Sequence, residues 1–165
     1  MRLPRAFVAY LDKLAQDVPD EIIGHNARSR KATGHNVPVD RPLLRRWLVI
    51  PKNRWLNIYY HNFILNDEDR ALHDHPWANL SIVVHGEYIE HTIAAGGVHK
   101  REIIREGQCR FRLPSRAHRV ELVNGKPSWS FFITGPVVHT WGFHCPDGRI
   151  THSEFHKRGG CDAAD

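Results

Sequence analysis

The sequence has few cysteines, and their spacing matches no familiar cysteine motif. Cys109, Cys145 and Cys161 are odd in number, and none forms a C-x-x-C pair with another. A disulfide framework is therefore not expected. Because disulfides persist mainly in oxidising compartments, this cysteine usage favours a reducing cytoplasm.

Long apolar segments and tracts of one charge are also missing. No apolar run approaches the ~18 residues that a membrane-spanning helix needs, and charges interrupt the N-terminal stretch MRLPRAFVAYLDKL before a signal-peptide core can form. The formal net charge is +5, but the basic residues are dispersed. We therefore expect no membrane and no nucleic-acid partner, whereas the positive charge favours small anionic molecules.

The 165 residues fit one domain, which divides into three parts. Residues 1–45 are expected to form an N-terminal extension. Within it, apolar residues recur at helical spacing over 4–16 and predict an amphipathic helix, whereas the polar residues 24–40 predict a loop or flap. Residues 46–157 are expected to form a β-barrel, and residues 158–165 a disordered tail.

The central part has the sequence pattern of an all-β protein. From residue 46 onwards, about eight short runs dense in β-branched and aromatic residues alternate with turn sequences, and no helical pattern separates them. This arrangement predicts an antiparallel sandwich or barrel. AAGG at 94–97 and NG at 124–125 are the clearest hairpin signals.

Three histidines form the most informative pattern, beginning in the stretch ALHDHPWANLSIVVHGEY at 71–88. In a strand, residues two apart point to the same face, so His73 and His75 would project together, and Pro76 favours the extended conformation that this requires. His118 opens a later strand in RLPSRAHRVEL. Such a set would cap one face of a metal ion with three nitrogens and leave two or three positions open.

The two stretches around these histidines resemble the two motifs of the cupin superfamily. HDHPWANLSIVVHG is similar to the first motif, and GQCRFRLPSRAH, at 107–118, is similar to the second, with glycine, proline and the last histidine in order. The resemblance covers roughly residues 46–145. It implies a cupin-type jelly-roll barrel and a bound divalent metal, with His73, His75 and His118 as its ligands. It also implies a homodimer, since cupins often pair by strand exchange.

The stretch departs from the cupin pattern at Asn79, where many cupins have a glutamate ligand. Asn79 could orient a water or the substrate, but it brings no charge, so an anion is favoured in the open positions on the metal. Sites with histidine ligands alone resemble those of cupin dioxygenases. The leading hypothesis is a mononuclear non-haem Fe(II) oxygenase, with Mn, Ni or Zn as alternative metals. A metal-dependent isomerase or lyase, and a ligand-binding cupin without turnover, remain open, as does a set of merely hydrogen-bonded histidines.

Three aromatic residues are candidates for lining the cavity. Trp77 follows the histidine pair with the same parity, and it either seals the barrel mouth or forms a dry wall for an apolar part of the substrate. Tyr59 and His61 share one face of their strand. If that face is the inner one, either residue could act as acid, base or hydrogen-bond donor. If it is the outer one, both face solvent.

The stretch QCRFRL raises a similar alternative. Alternation separates Arg110 and Arg112 from Cys109 and its neighbours, and two arginines on one face are usually solvated. If they face the cavity, they would clamp a substrate carboxylate or phosphate, whereas Cys109 is expected in the core. The histidine-rich stretch 139–156 matches no established zinc motif and is interpreted as a loop with scattered histidines.

Overall fold

The computed structural model describes residues 2–24, 30–31, 42–67 and 71–161, with only the backbone given for 30–31. Most of the predicted loop at 24–40 lies outside these residues. Helix α1 spans Arg5–Leu14, inside the predicted range, and a second helix, α2, spans His152–Arg158. Within the described part of the chain, neither helix is long and apolar enough to cross a membrane.

Thirteen strands carry the rest of the described structure. They are β1 (Glu21–Gly24), β2 (Arg30–Lys31), β3 (Pro42–Leu48), β4 (Asn57–Phe63), β5 (Leu72–His73), β6 (Asn79–His85), β7 (Glu87–Ile93), β8 (His99–Arg105), β9 (Cys109–Arg112), β10 (Arg119–Leu122), β11 (Ser128–Thr134), β12 (Gly142–Cys145) and β13 (Gly148–Thr151). Strands β1 and β2 fall within the predicted N-terminal extension, where the sequence indicated no strand.

The strands form three antiparallel sheets. The largest has the order β2-β1-β3-β4-β11-β6-β9, and the two smaller ones have the orders β10-β7-β8 and β13-β12-β5. A pair of backbone hydrogen bonds between His73 and His118, of 2.9 and 2.8 Å, joins β5 to the start of β10. The expectation of an all-β, jelly-roll architecture with an N-terminal helix is confirmed.

The largest sheet has two different faces because its side chains alternate. On one face, Trp47, Tyr60 and Phe131 pack with Leu11 of α1 and form the main apolar core. The opposite face turns toward the β10-β7-β8 sheet, against which Val83 and other apolar residues pack at one end. The remainder of this inner face carries polar side chains, and it is there that the candidate site lies.

Two hairpin predictions have different outcomes. The AAGG turn joins β7 to β8, which pair from Glu87–Arg105 to Ile93–His99, so that prediction is confirmed. The NG prediction is wrong as a hairpin. Asn124 does adopt a turn conformation, with φ 53°, but β10 and β11, the strands on either side of it, belong to different sheets. Local turn chemistry specifies a reversal of the chain, not which strands pair after it.

The expectation that no disulfide forms is wrong. Cys145, at the end of β12, is bonded to Cys161 with a Cα–Cα distance of 5.3 Å across 16 residues of sequence. The bond lies beside a small core in which Phe143 stacks on Phe155. It ties Cys161, which belongs to the tail that was expected to be disordered from residue 158, to strand β12. Residues 162–165 lie outside the described part. The cytoplasmic location stays a prediction, without the support that the cysteines gave it.

Candidate metal centre

Three histidines from two segments of the chain converge on one point. One side-chain nitrogen from each of His73, His75 and His118 lies within 4.8 Å of the other two. The Nε2 atoms of His75 and His118 are 2.9 Å apart. Two nitrogens that each lie ~2.1 Å from one metal at a right angle would be separated by about 3 Å, so this spacing fits a shared ion. The residues of the predicted ligand set are therefore brought together.

Glu90 fixes the orientation of one of these rings. The Nδ1 of His118 lies 3.1 Å from a carboxylate oxygen of Glu90, so this nitrogen donates its proton to Glu90 and leaves Nε2 free to bind a metal. A carboxylate behind a ligand histidine is the usual arrangement in protein metal sites, because it sets the tautomer and makes the ring a better ligand.

Burial keeps two of the candidate ligands neutral. It lowers the pKa of His75 well below its ordinary value, and the neighbouring rings of His118 and His73 lower it further. Burial also lowers the pKa of His118, with added repulsion from Arg112 and His73. A neutral imidazole is the form that binds a metal, so these two rings need lose no proton at neutral pH before they coordinate.

A buried ion pair supports Glu90 from the other side. Arg112 donates to the same carboxylate oxygen from Nε at 2.6 Å, and its two terminal nitrogens reach the amide oxygen of Asn79 at 3.3 Å and the hydroxyl of Tyr88 at 3.1 Å. Both Glu90 and Arg112 are 6 % exposed. The carboxylate absent at position 79 is thus present nearby on β7, but it is neutralised by an arginine.

The sequence interpretation missed Glu90, although one signal for it exists. In the β7–β10 register Glu90 is opposite Val120, and Val120 is on the same face as His118 because residues two apart share a face. Glu90 is therefore a diagonal neighbour of His118 across the strands. Recognising this needs the pairing of β7 with β10, which local periodicity does not give.

Asp74 points away from the three rings, as alternation predicts, and it is fully buried on the other side. It accepts hydrogen bonds from the guanidinium of Arg149 at 2.6 and 3.1 Å, from His144 at 3.0 Å and from the backbone N–H of Gly142 at 2.9 Å. Burial alone would raise the pKa of Asp74, but these donors outweigh it and hold the pKa below its usual value. The segment between the two candidate ligands is therefore anchored to β12 and β13.

Tyr59 and His61 face inward, so the first of their two predicted orientations is the observed one. Arg46 donates from Nε to the Nε2 of His61 at 3.0 Å, which places the proton of His61 on Nδ1. That Nδ1 is buried and has no partner among the described residues. Burial, then the charges of Arg46 and His75, hold the pKa of His61 well below its ordinary value. His61 is therefore a neutral hydrogen-bond donor, not a base.

Trp77 contacts His75 and also lines an open cavity of about 350 Å³. Its indole stacks on the ring of His75 with 5.8 Å between centroids, and it lines the cavity together with Tyr59. The indole Nε1 is buried and has no partner among the described residues, and the same holds for the amide nitrogen of Asn79. Trp77 thus forms one wall of this cavity. This position is compatible with both predicted roles, sealing the barrel mouth and contacting an apolar part of the substrate.

The β9 strand has the predicted alternation, with its arginines turned inward. Cys109 and Phe111 are exposed, so the expectation of a core cysteine is wrong. Arg110 lies beside Glu90, with 3.5 Å between Nε and Oε2, and is paired with Glu102 on β8. Because both inner arginines already have carboxylate partners, their role as a substrate clamp stays a prediction. In the histidine-rich stretch, β12, β13 and α2 replace the expected loop.

No family model and no curated protein matches the chain, so the comparisons rest on solved structures. A protein from Ralstonia eutropha assigned as a mannose-6-phosphate isomerase is 18 % identical, with a TM-score of 0.50 over 63 % of this chain and 94 % of that one. A cupin-like protein from Thermotoga maritima is 14 % identical, with a TM-score of 0.49 over 84 % and 87 % of the two chains. An RmlC-like cupin from Shewanella frigidimarina is 21 % identical, with a TM-score of 0.45 over 58 % and 78 %.

At these identities the likeness concerns the fold alone. It agrees with the antiparallel sheets described above. The chain therefore has a cupin-type, double-stranded β-helix fold.

Proposed function

We propose that this protein is a metal-dependent cupin enzyme, and more specifically a mononuclear non-haem iron oxygenase that acts on a small anionic substrate. The observation that supports the metal is the convergence of His73, His75 and His118, with the Nε2 atoms of the last two 2.9 Å apart. The orientation of His118 by Glu90 supports it independently, because a carboxylate in that place serves a ligand histidine.

The three histidines would hold Fe(II), with Mn, Ni or Zn as the alternatives. Iron, when bound there, would supply the activation of oxygen beside the substrate. The chain's own residues bind, orient and exclude water. His61 presents Nδ1–H and Asn79 presents its amide N–H₂, and both groups are buried donors without partners among the described residues. Such donors are suited to holding an oxygen atom of the substrate.

The charge distribution supports an anionic substrate. The three imidazoles carry no negative charge, and the carboxylate beside His118, Glu90, is paired with Arg112. A second buried carboxylate, Asp67, lies 3.9 Å from the Nδ1 of His73 and accepts from the backbone N–H of Val120. A divalent ion held by the three histidines would keep part of its positive charge, so an anionic ligand would be favoured in its open positions. Arg110, Arg112 and Trp77 stay candidates for substrate contact. Of these, Trp77 already lines an open cavity.

Metal analysis of untagged protein tests this proposal first. We expect one Fe per chain after anaerobic reconstitution with Fe(II), a nitrosyl electron paramagnetic resonance signal that reports open positions, and loss of both in His118→Ala. His85→Ala is the matched control, since the side chain of His85 is partly exposed and bonds to Asp12 of α1, away from the three rings and from Asp74. The absence of stoichiometric metal in the wild-type protein would refute the proposal.

Oxygen uptake with a panel of thiols and organic acids tests the oxygenase. Conversion of a substrate without oxygen uptake would replace the oxygenase with an isomerase or lyase. Bound metal without any turnover across the panel would favour a ligand-binding cupin.

A further inference from the structure

The cavity beside Trp77 has a strongly basic lining. Arg46, Lys52 and Arg54 contribute to its wall together with Tyr59 and Trp77, and no carboxylate belongs to the lining among the described residues. Its volume of about 350 Å³ lies at the lower end of the ~300–1,000 Å³ range of small-molecule pockets. The occupant it fits is a small metabolite.

The positive charges are only partly neutralised. Glu21 accepts from Arg46 at 2.9 Å and from Lys52 at 2.8 Å, so one carboxylate serves two cations. Arg54 stacks over the ring of Trp55, with 4.6 Å to its centroid, and has no carboxylate partner among the described residues. Three cations against one anion leave the cavity with an excess of about two positive charges.

The loop that carries Arg54 is held in place by its own hydrogen bonds. The side-chain oxygen of Asn53 accepts from the backbone N–H groups of Trp55 and Leu56 at 2.9 and 3.0 Å. The side-chain amide of Asn57 accepts from the backbone N–H of Asn53 and donates to its backbone carbonyl, both at 2.8 Å. A preorganised loop loses little conformational freedom when a ligand binds. The cationic wall is therefore built before any ligand arrives.

Trp77 adds an apolar surface to this basic lining. Its Nε1–H is buried and has no partner among the described residues, so the part of Trp77 that a ligand in the cavity can contact is the indole ring. The same indole stacks on His75, so the cavity and the candidate metal centre share one wall.

We propose that this cavity binds the terminal oxyanion, a carboxylate or a phosphate, of a small organic ligand. Arg54 and Lys52 pair with the oxyanion, and the indole face of Trp77 covers the adjoining apolar part. This inference rests on the proposed function in one respect, namely that the opposite end of the ligand reaches the histidines past Trp77. Anion binding in the cavity does not itself depend on the metal.

Isothermal titration calorimetry with inorganic phosphate and with succinate tests the inference at low ionic strength. We expect wild-type protein to bind at least one of the two anions, with affinity that falls as NaCl is added, because the contacts are electrostatic. Arg54→Gln should weaken binding about tenfold, and the double variant Arg54→Gln with Lys52→Gln should weaken it further. Phosphate binding more tightly than succinate would identify the oxyanion as a phosphate, and the reverse order as a carboxylate.

Arg101→Gln and Lys100→Gln are the matched controls, since both residues are exposed on β8, which belongs to a different sheet from β3 and β4, the strands on either side of the Arg54 loop. They should bind the anion as the wild type does. The single Arg54→Gln variant guards against a folding artefact, because Arg54 has no ion pair within the described structure whose loss would destabilise the protein. Wild-type protein that binds neither anion, or an Arg54→Gln variant that binds as tightly as the wild type, would overturn the inference.

The same titration on chelator-treated protein and on His118→Ala separates this inference from the proposed function. Anion binding that persists in a protein unable to hold metal supports the cavity and leaves the enzyme proposal to fall alone. Metal binding without anion binding refutes the cavity alone.

Discussion

Glu90 offers the sharpest test of the candidate metal centre, through the substitution Glu90→Gln. The change keeps the side-chain volume, so it leaves no cavity, and it removes the charge that orients His118 and neutralises Arg112. If the three histidines hold a metal, the variant should bind it more weakly although every ligand atom is still present.

The magnitude follows from two effects. Loss of a partner behind a ligand histidine typically weakens metal binding ~10–100-fold, which is about 1.4–2.8 kcal/mol. Separately, Arg112 is 6 % exposed and loses its counter-ion, and breaking a buried ion pair in this way costs roughly 3–5 kcal/mol of folding stability. The amide oxygen of the introduced glutamine would retain part of each interaction, so the lower end of each range is expected.

Two measurements separate the effects. Competition with a chromophoric chelator gives the metal affinity, and urea unfolding of the metal-free protein gives the stability. Glu87→Gln is the control, because Glu87 lies on the same strand as Glu90 but pairs with the exposed Arg105, where an ion pair is worth ~0–1 kcal/mol. Wild-type metal affinity in a folded Glu90→Gln variant would refute the assigned role of Glu90. An equal loss in Glu87→Gln would show that overall charge, not local orientation, governs the affinity.

Three further predictions concern stability. Cys161→Ser opens a loop of 16 residues and should lower the unfolding free energy by about 3 kcal/mol, measured by urea denaturation; a reduced wild type that unfolds at the oxidised midpoint would contradict it. Burial alone would raise the pKa of Glu21, but Lys52 and Arg46 hold it below 4.5, so the stabilisation is complete above about pH 4.5 and is lost as the pH falls through the lowered pKa. Glu21→Gln should flatten that acid limb in thermal melts, and parallel curves would refute the assignment. Leu11→Ala, at a position that is 0 % exposed, should cost roughly 2–5 kcal/mol and leave the metal affinity unchanged in the same chelator assay.

Much of the architecture could be predicted because local rules determine it. Helix α1 followed from apolar residues at helical spacing, and strands β3, β4 and β6 to β11 followed from β-branched runs between turn residues. The common direction of His73 and His75, with Asp74 opposite, followed from the two-residue period of a strand. These features need no knowledge of which segments meet.

The features that could not be predicted depend on contacts between distant segments. The Cys145–Cys161 bond spans a helix and a hairpin, and its partners share no motif. On β9 the alternation was correct, but the faces were assigned by the rule that apolar residues go inside. The inner face of this strand does not follow the rule. Arg112 is buried there and pairs with Glu90, whereas Phe111 on the other face is 66 % exposed. Contacts between distant segments, not composition, decided both outcomes.

The burial of Asp74 between two candidate ligands has a consequence for how mutational scans of this protein should be interpreted. Arg149 grips Asp74 from the side opposite the histidine rings, so substituting this arginine would let the ligand-bearing segment shift without touching a coordinating atom. A screen that scores only metal content would then assign Arg149 to the coordination sphere. Spectra of the metal site in each variant would distinguish the two cases. Substituting Arg149 keeps all the donor atoms and changes only their symmetry, whereas substituting a ligand histidine removes a donor atom.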